Sequence, residues 1–204
     1  MAKFEEHLMK NKDEEICQII CVIDGSGSMQ DMMNEAVGAL NNFIDDQRKI
    51  KGLAELTLIA FDDQRKIIHS RRDLQEIPKV KYNEVFLGGM TALYDAIGMA
   101  LNGYKKTEKT ICLIQTDGYE NSSKEYTASD IQKLIKEREK WGWKFVFIGA
   151  GIDAFEEGAK FGLGRGQTYS VDRGSKGMAA YANTMSVETR SYRGADLDST
   201  ADDE

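Results

Sequence analysis

Read from one end to the other, the chain alternates between short unbroken apolar runs and longer stretches in which apolar residues recur every third or fourth position. Ile16, Ile19, Ile20, Val22 and Ile23 form an almost continuous block, the pattern of a strand covered on both faces by helices. The next apolar positions are Met29, Met32, Met33, Ala36, Val37, Leu40, Phe43 and Ile44, which define one face of a long helix. This methionine-rich stripe reads as core packing. Leu53 to Phe61 is rich in apolar and β-branched residues and predicts a second strand, closed by Asp62 and Asp63, with Lys66 to His69 returning as a short edge strand. Pro78, the single proline, lies in a connection leading to Gly88 and Gly89. A helix from Thr91 carries Leu93, Ile97, Ala100, Leu101 and Tyr104 on one side, and Thr110 to Thr116 is again an apolar strand. A third helix spans Ala128 to Trp141, stopped by Gly142, and Phe145 to Ala150 is the following strand. A short helix from Asp153 to Phe161 and a weak strand from Gln167 to Val171 complete the series. Met178, Tyr181, Ala182 and Met185 predict one more amphipathic helix, docked on the sheet or binding a partner.

Strands that alternate with helices in this way predict an α/β fold: a doubly wound, Rossmann-like three-layer α/β/α sandwich whose six-stranded sheet is mostly parallel, with one antiparallel edge strand. With strand order 3-2-1-4-5-6 the first and fourth strands are neighbours at the topological switch point, where ligands bind outside the carboxyl ends of the strands. Asp24 ends the first of these strands and Asp117 follows the fourth, so the topology brings two carboxylates into one crevice. Residues 1–15 read as a loosely packed arm, residues 16–171 as the folded domain, residues 172–193 as a helical extension and residues 194–204 as a disordered tail. The tail holds Asp196, Asp198, Asp202, Asp203 and Glu204 and no basic residue. The hexapeptide Asp-Asp-Gln-Arg-Lys-Ile occurs at 45–50 and again at 62–67. It falls once at a helix end and once at a hairpin, and six such residues cannot bury a face, so it is not a structural repeat.

At 204 residues, with 41% hydrophobic and 30% charged residues, the chain is long enough for one well-buried core. A net charge of −7 argues against general nucleic-acid binding, which needs a basic face. The charged N-terminus has no secretory pattern, and no apolar run approaches the roughly 20 residues of a membrane span, so a cytoplasmic, non-membrane protein is expected. The three cysteines, Cys17, Cys21 and Cys112, all fall within apolar strands, and the two histidines, His7 and His69, lie in unrelated polar segments. Neither set has zinc-ligand spacing.

The candidate chemistry stands where the first strand ends, in Asp24-Gly25-Ser26-Gly27-Ser28. One carboxylate and two hydroxyls at spacing two, separated by glycines that let the loop fold tightly, suit a hard cation. This D-x-S-x-S pattern resembles the von Willebrand factor A family, and more narrowly its compact cytosolic prokaryotic or phage members. The Gly88-Gly89-Met90-Thr91 segment and Thr116-Asp117-Gly118 follow in the order that family requires. The resemblance covers about Ile16 to Val171 and implies a metal-ion-dependent adhesion site (MIDAS) built from Asp24, Ser26, Ser28, Thr91 and Asp117. Taken without the resemblance, Thr91 reads first as a helix N-cap, and the other matched segments turn the reading to ligation. In the family the site holds magnesium, or manganese, through hydroxyls bound directly and carboxylates acting mainly through water, and a carboxylate of a partner fills the open position. The resemblance thus implies a protein-binding module that recognises an Asp or Glu of another chain, with Met90, Tyr94 and Tyr119 as flanking surface.

Enzymatic readings each lack a residue. A haloacid dehalogenase-type phosphatase needs a second carboxylate where Ser26 stands, and no phosphate-loop lysine follows Gly25 or Gly27. Neither serine sits in a G-x-S-x-G setting. The chain is therefore read as a non-enzyme, with a metal-dependent hydrolase as the remote alternative. A nearer alternative is a self-assembling domain in which the acidic tail or a surface loop of one copy caps the metal of the next, a heterologous contact that yields a head-to-tail homo-oligomer.

Overall fold

In a computed structural model of the chain, residues 15–106 and 108–194 are described. The expected N-terminal arm, apart from Glu15, and the acidic tail beyond Gly194 lie outside the described residues, as does His7. The sheet is built from β1 (Cys17–Asp24), β2 (Ala54–Phe61), β3 (Arg65–Asp73), β4 (Lys109–Thr116), β5 (Lys144–Ala150) and β6 (Thr168–Val171). Its order is β3-β2-β1-β4-β5-β6, antiparallel only between β2 and β3, as the alternating pattern predicts. Every residue of β1 is buried, because helices cover both faces of the central strand.

The pleat sorts the β1 side chains between two cores. Cys17, Ile19, Cys21 and Ile23 face one layer with α1 (Met33–Arg48), the single-turn α2 (Tyr82–Val85) and α6 (Ser175–Arg193). Ile20 and Val22 face the other, with α3 (Leu93–Leu101), α4 (Ala128–Glu139) and α5 (Ala154–Lys160). The methionine stripe is core, as expected: Met29, Met32 and Met33 are buried against β1.

Several boundaries differ from the sequence expectation. The stretch from Met29 opens as a 3₁₀ turn at Gly27–Met29, and the α-helix begins only at Met33. β3 runs to Asp73, well beyond His69, because pairing with β2 supplies backbone partners that its exposed polar residues do not advertise. The last helix is 19 residues long, and Met178, Tyr181 and Met185 dock it into the same core as α1. Gly194 ends it in the left-handed conformation at φ 81°. Among the described residues no helix is long and apolar enough to cross a membrane.

Candidate metal centre

The register of the sheet sets the site. Ile23 of β1 pairs with Gln115 of β4, so Asp24 and Thr116 leave the sheet side by side. The Thr116 hydroxyl donates to Asp24 Oδ2, and the other carboxylate oxygen accepts the Ser26 backbone N–H at 2.8 Å. Asp24 is fully buried, and burial is the main force pushing its carboxyl up to about 6. The hydrogen bonds from Thr116 and Ser26 oppose that rise, and the charge of Asp117 adds to it.

From Asp24 the chain must turn at once, and the glycines make the turn possible. A Cβ on Gly25 would stand 2.1 Å from the Val85 carbonyl oxygen. That closeness lets Gly25 O accept the N–H groups of Leu87 and Gly88 at 2.9 and 3.0 Å, while Gly27 N–H donates to Gly89 O at 2.9 Å. The Asp24-to-Ser28 loop is thereby stitched to the loop that precedes Thr91. Ser26 Oγ lies 3.1 Å from Ser28 Oγ, and Ser28 Oγ donates to Asp117 Oδ1 at 2.6 Å.

Thr91 enters from its own loop. Ala92, not Thr91, occupies the N-cap of α3, and no side chain caps the helix from that position. The Thr91 hydroxyl is thus not used as a cap; Glu120 Oε2 instead accepts the Tyr94 N–H at 3.0 Å. Thr91 shares two hydrogen bonds with Asn121, donating its N–H to Oδ1 at 2.9 Å and accepting the Asn121 N–H at 3.0 Å. A Cβ built on Gly118 would stand 3.2 Å from Thr91 Oγ1 and 3.7 Å from Ser28 Oγ. Both hydroxyls therefore converge on the space that the missing Gly118 side chain leaves open. All five candidate ligand residues meet at one end of the β1/β4 crevice, four of them through one hydrogen-bonded chain and Thr91 through its approach to Gly118.

Sequence reasoning missed the parts that hold this cluster. Asp95, in the first turn of α3, accepts the N–H groups of Lys124, Glu125 and Tyr126, each at 2.9 Å. Burial alone would raise the Asp95 carboxyl, but those three amides and Arg65 outweigh it and keep it below the ordinary carboxylate value. With Glu120 and Asn121, Asp95 clasps the segment after Asp117 onto α3. Arg173 was missed as well, and its one signal was that it follows the β6 strand at the same end of the sheet as the site. Its Nη1 lies 2.7 Å from Asp117 Oδ2, and its Nη2 donates to Ser28 O at 2.8 Å. The Asp117 contact is a close ion pair without hydrogen-bond alignment, since Oδ2 is buried and accepts no hydrogen bond. Of the three flanking residues, Met90 and Tyr119 are about half exposed, whereas Tyr94 is partly buried and packs edge-on against Phe161.

The donor set fits a hard divalent cation: two carboxylates and three hydroxyls, all oxygen, around a space kept free by a glycine, with one carboxylate oxygen buried and accepting no hydrogen bond. Among the described residues no group of three or more His, Cys, Asp or Glu side chains forms an alternative metal cluster.

The profile of the von Willebrand factor type A domain matches residues 18–176. No curated protein matches the chain. Solved structures share its fold at low identity. Proximal thread matrix protein 1 from the mussel byssus, with a zinc-occupied MIDAS motif, superposes with a TM-score of 0.65 at 15% identity over 86% of this chain and 46% of its own. A von Willebrand factor type A protein from Catenulispora acidiphila gives 0.62 at 18% identity over 85% and 42%. The pilus adhesin SpaC from Lactobacillus rhamnosus GG gives 0.62 at 12% identity over 86% and 30%. The chain spans less than half the length of each of these three proteins.

Proposed function

The chain belongs to the von Willebrand factor type A domain family, and on that premise we propose that it is a metal-dependent protein-binding module. In this reading Asp24, Ser26, Ser28, Thr91 and Asp117 form a MIDAS that holds magnesium or manganese and recognises an Asp or Glu of a partner protein. The observation that carries the reading is the convergence of the Ser28 and Thr91 hydroxyls on the empty side-chain position of Gly118, with Ser28 hydrogen-bonded to Asp117 and the buried carboxylate of Asp24 in the same chain of hydrogen bonds. The similarity to proteins named as an adhesin and as a byssus matrix protein with a zinc-occupied MIDAS motif adds support, and it makes zinc a third ion to test.

Each residue has a task that follows from its place. Asp24 and Asp117 supply negative charge from adjacent strand ends, where burial weakens screening and strengthens their pull on a cation. Ser26, Ser28 and Thr91 offer neutral oxygens, which satisfy a hard ion without cancelling its charge. When bound, such an ion supplies an electron-poor centre that accepts a carboxylate oxygen. Met90 and Tyr119 stand exposed on the loops that carry Thr91 and Asp117, and they give the partner apolar area around that polar anchor. The chain has no turnover in this reading, and we take residues 16–171 with the helix that follows as the binding unit.

Calorimetric titration of the wild type and Asp24→Ala with magnesium, manganese and zinc tests the assignment. Uptake of one ion per chain by the wild type and none by the variant is expected. Equal titration of both proteins would remove the site. Copurification with and without chelator then tests the partner class, which requires capture that is lost with the metal.

A further inference from the structure

Arg173 stands two residues beyond the end of β6 and reaches back over the candidate metal centre. Its stem runs across Gly151, where a Cβ would lie 2.6 Å from Arg173 Cγ, so the missing side chain at Gly151 opens its path. Gly151 is itself fixed by donating its N–H to Val171 O at 2.8 Å, and it holds a φ of 72° that few other residues adopt. At the end of that path the guanidinium contacts Asp117 Oδ2 and the Ser28 carbonyl. The Asp117 side chain is 0% exposed and that of Arg173 46%, so the arginine approaches from the solvent side and closes over a buried carboxylate.

We propose that Arg173 is a resident counter-cation of the site, competing with the divalent ion for Asp117 and thereby setting the site's metal affinity. The proposal rests on the metal reading given above and assigns a residue outside the five-ligand set. Two carboxylates buried side by side repel each other, and an unpaired buried charge is strongly destabilising. Arg173 relieves this by placing one positive charge against Asp117, which leaves the cluster with one net negative charge instead of two. A divalent ion entering the same crevice meets that positive charge at close range and must share or take over an oxygen already paired. The guanidinium is half exposed, so solvent weakens the repulsion, and the expected effect is about tenfold in affinity. The contact to Ser28 O has a different consequence, since it steadies the loop that carries Ser26 and Ser28. Variants that remove the charge, set against a lysine that keeps it, separate the electrostatic role from the rest.

The experiment compares the wild type with Arg173→Gln, Arg173→Met and Arg173→Lys. Calorimetric titration with magnesium and with manganese is paired with thermal melts in chelator and at saturating metal. Arg173→Gln and Arg173→Met are expected to bind metal about tenfold more tightly than the wild type, and Arg173→Lys within about threefold of it. In chelator the two neutral variants should melt about 2 to 4 °C lower than the wild type, and saturating metal should close or invert that gap. Arg173→Gln keeps a polar end on this half-exposed side chain and serves as the folded test if Arg173→Met does not fold. Wild-type protein that binds metal while Arg173→Gln binds it equally or more weakly would overturn this inference alone. Wild type and variants that all fail to take up metal would overturn the metal reading, and this inference with it.

Discussion

In the metal-free protein Asp24 should make folding less stable as pH rises, opposite in sign to a salt-bridged carboxylate. Its folded-state value is raised to about 6 from an ordinary 3.8, chiefly by burial. The native state therefore holds its proton more tightly than the unfolded chain, and stability is fully present below the unfolded value and lost as pH climbs through the folded one. Over the whole window the loss is about 3 kcal/mol, of which about 1.3 kcal/mol falls between pH ~5 and pH ~7. Asp24→Asn removes the titration while keeping the packing. Thr116 Oγ1 can accept from the new amide and turn its own hydrogen to Gly118 O, which lies 3.0 Å away. Thermal or urea unfolding in chelator across this range should therefore give a wild type that weakens toward neutral pH relative to Asp24→Asn. The relative shift in melting temperature is about 3 to 5 °C for a chain of this size. His69, its value lowered by burial, is common to both proteins and cancels in the difference. Excess magnesium should abolish the disadvantage in the wild type only, adding about 2.7 kcal/mol at a hundredfold excess over Kd. Parallel pH profiles for the two proteins in chelator would refute the reasoning, because they would mean that the buried carboxylate is not destabilised by its surroundings.

Gly118→Ala would place its methyl 3.2 Å from Thr91 Oγ1, a contact that yields by a few tenths of an ångström, so stability should fall by less than about 1 kcal/mol while calorimetric metal affinity falls at least about tenfold. Gly25→Ala drives a Cβ to 2.1 Å from the backbone oxygen of Val85, which only a backbone shift relieves; urea unfolding should report a loss above about 3 kcal/mol. Asp95→Ala leaves three backbone N–H groups without their acceptor and removes the carboxylate 3.7 Å from Arg65 Nη1, and should cost about 3 kcal/mol, a fall of about 6 to 12 °C in melting temperature by calorimetry.

What the sequence determined by itself was everything that repeats along the chain or sits within a few residues. Unbroken apolar runs become strands because both faces of the sheet are covered, and residues spaced three and four apart become helices because each buries one face. Their alternation is enough to imply the 3-2-1-4-5-6 order and the switch point where Asp24 and Asp117 meet. The D-x-S-x-S segment is local too, and its glycines announce a tight loop. Tertiary structure decided what depends on where distant loops end. The hexapeptide at 45–50 finishes α1 as a helix, whereas its copy at 62–67 turns the β2–β3 hairpin, because burial against α6 and pairing with β2 override identical local preferences. Whether Thr91 caps α3 or faces the site was open in the sequence; it rests on Glu120 and Asn121, some 26 to 30 residues away, which take over the helix end and the Thr91 backbone. Arg173 reaches Ser28 across 145 residues of sequence, and no periodicity encodes that contact. It exists because β1, β4, β5 and β6 run parallel and deliver their carboxyl ends, with the loops that follow, to one edge of the sheet.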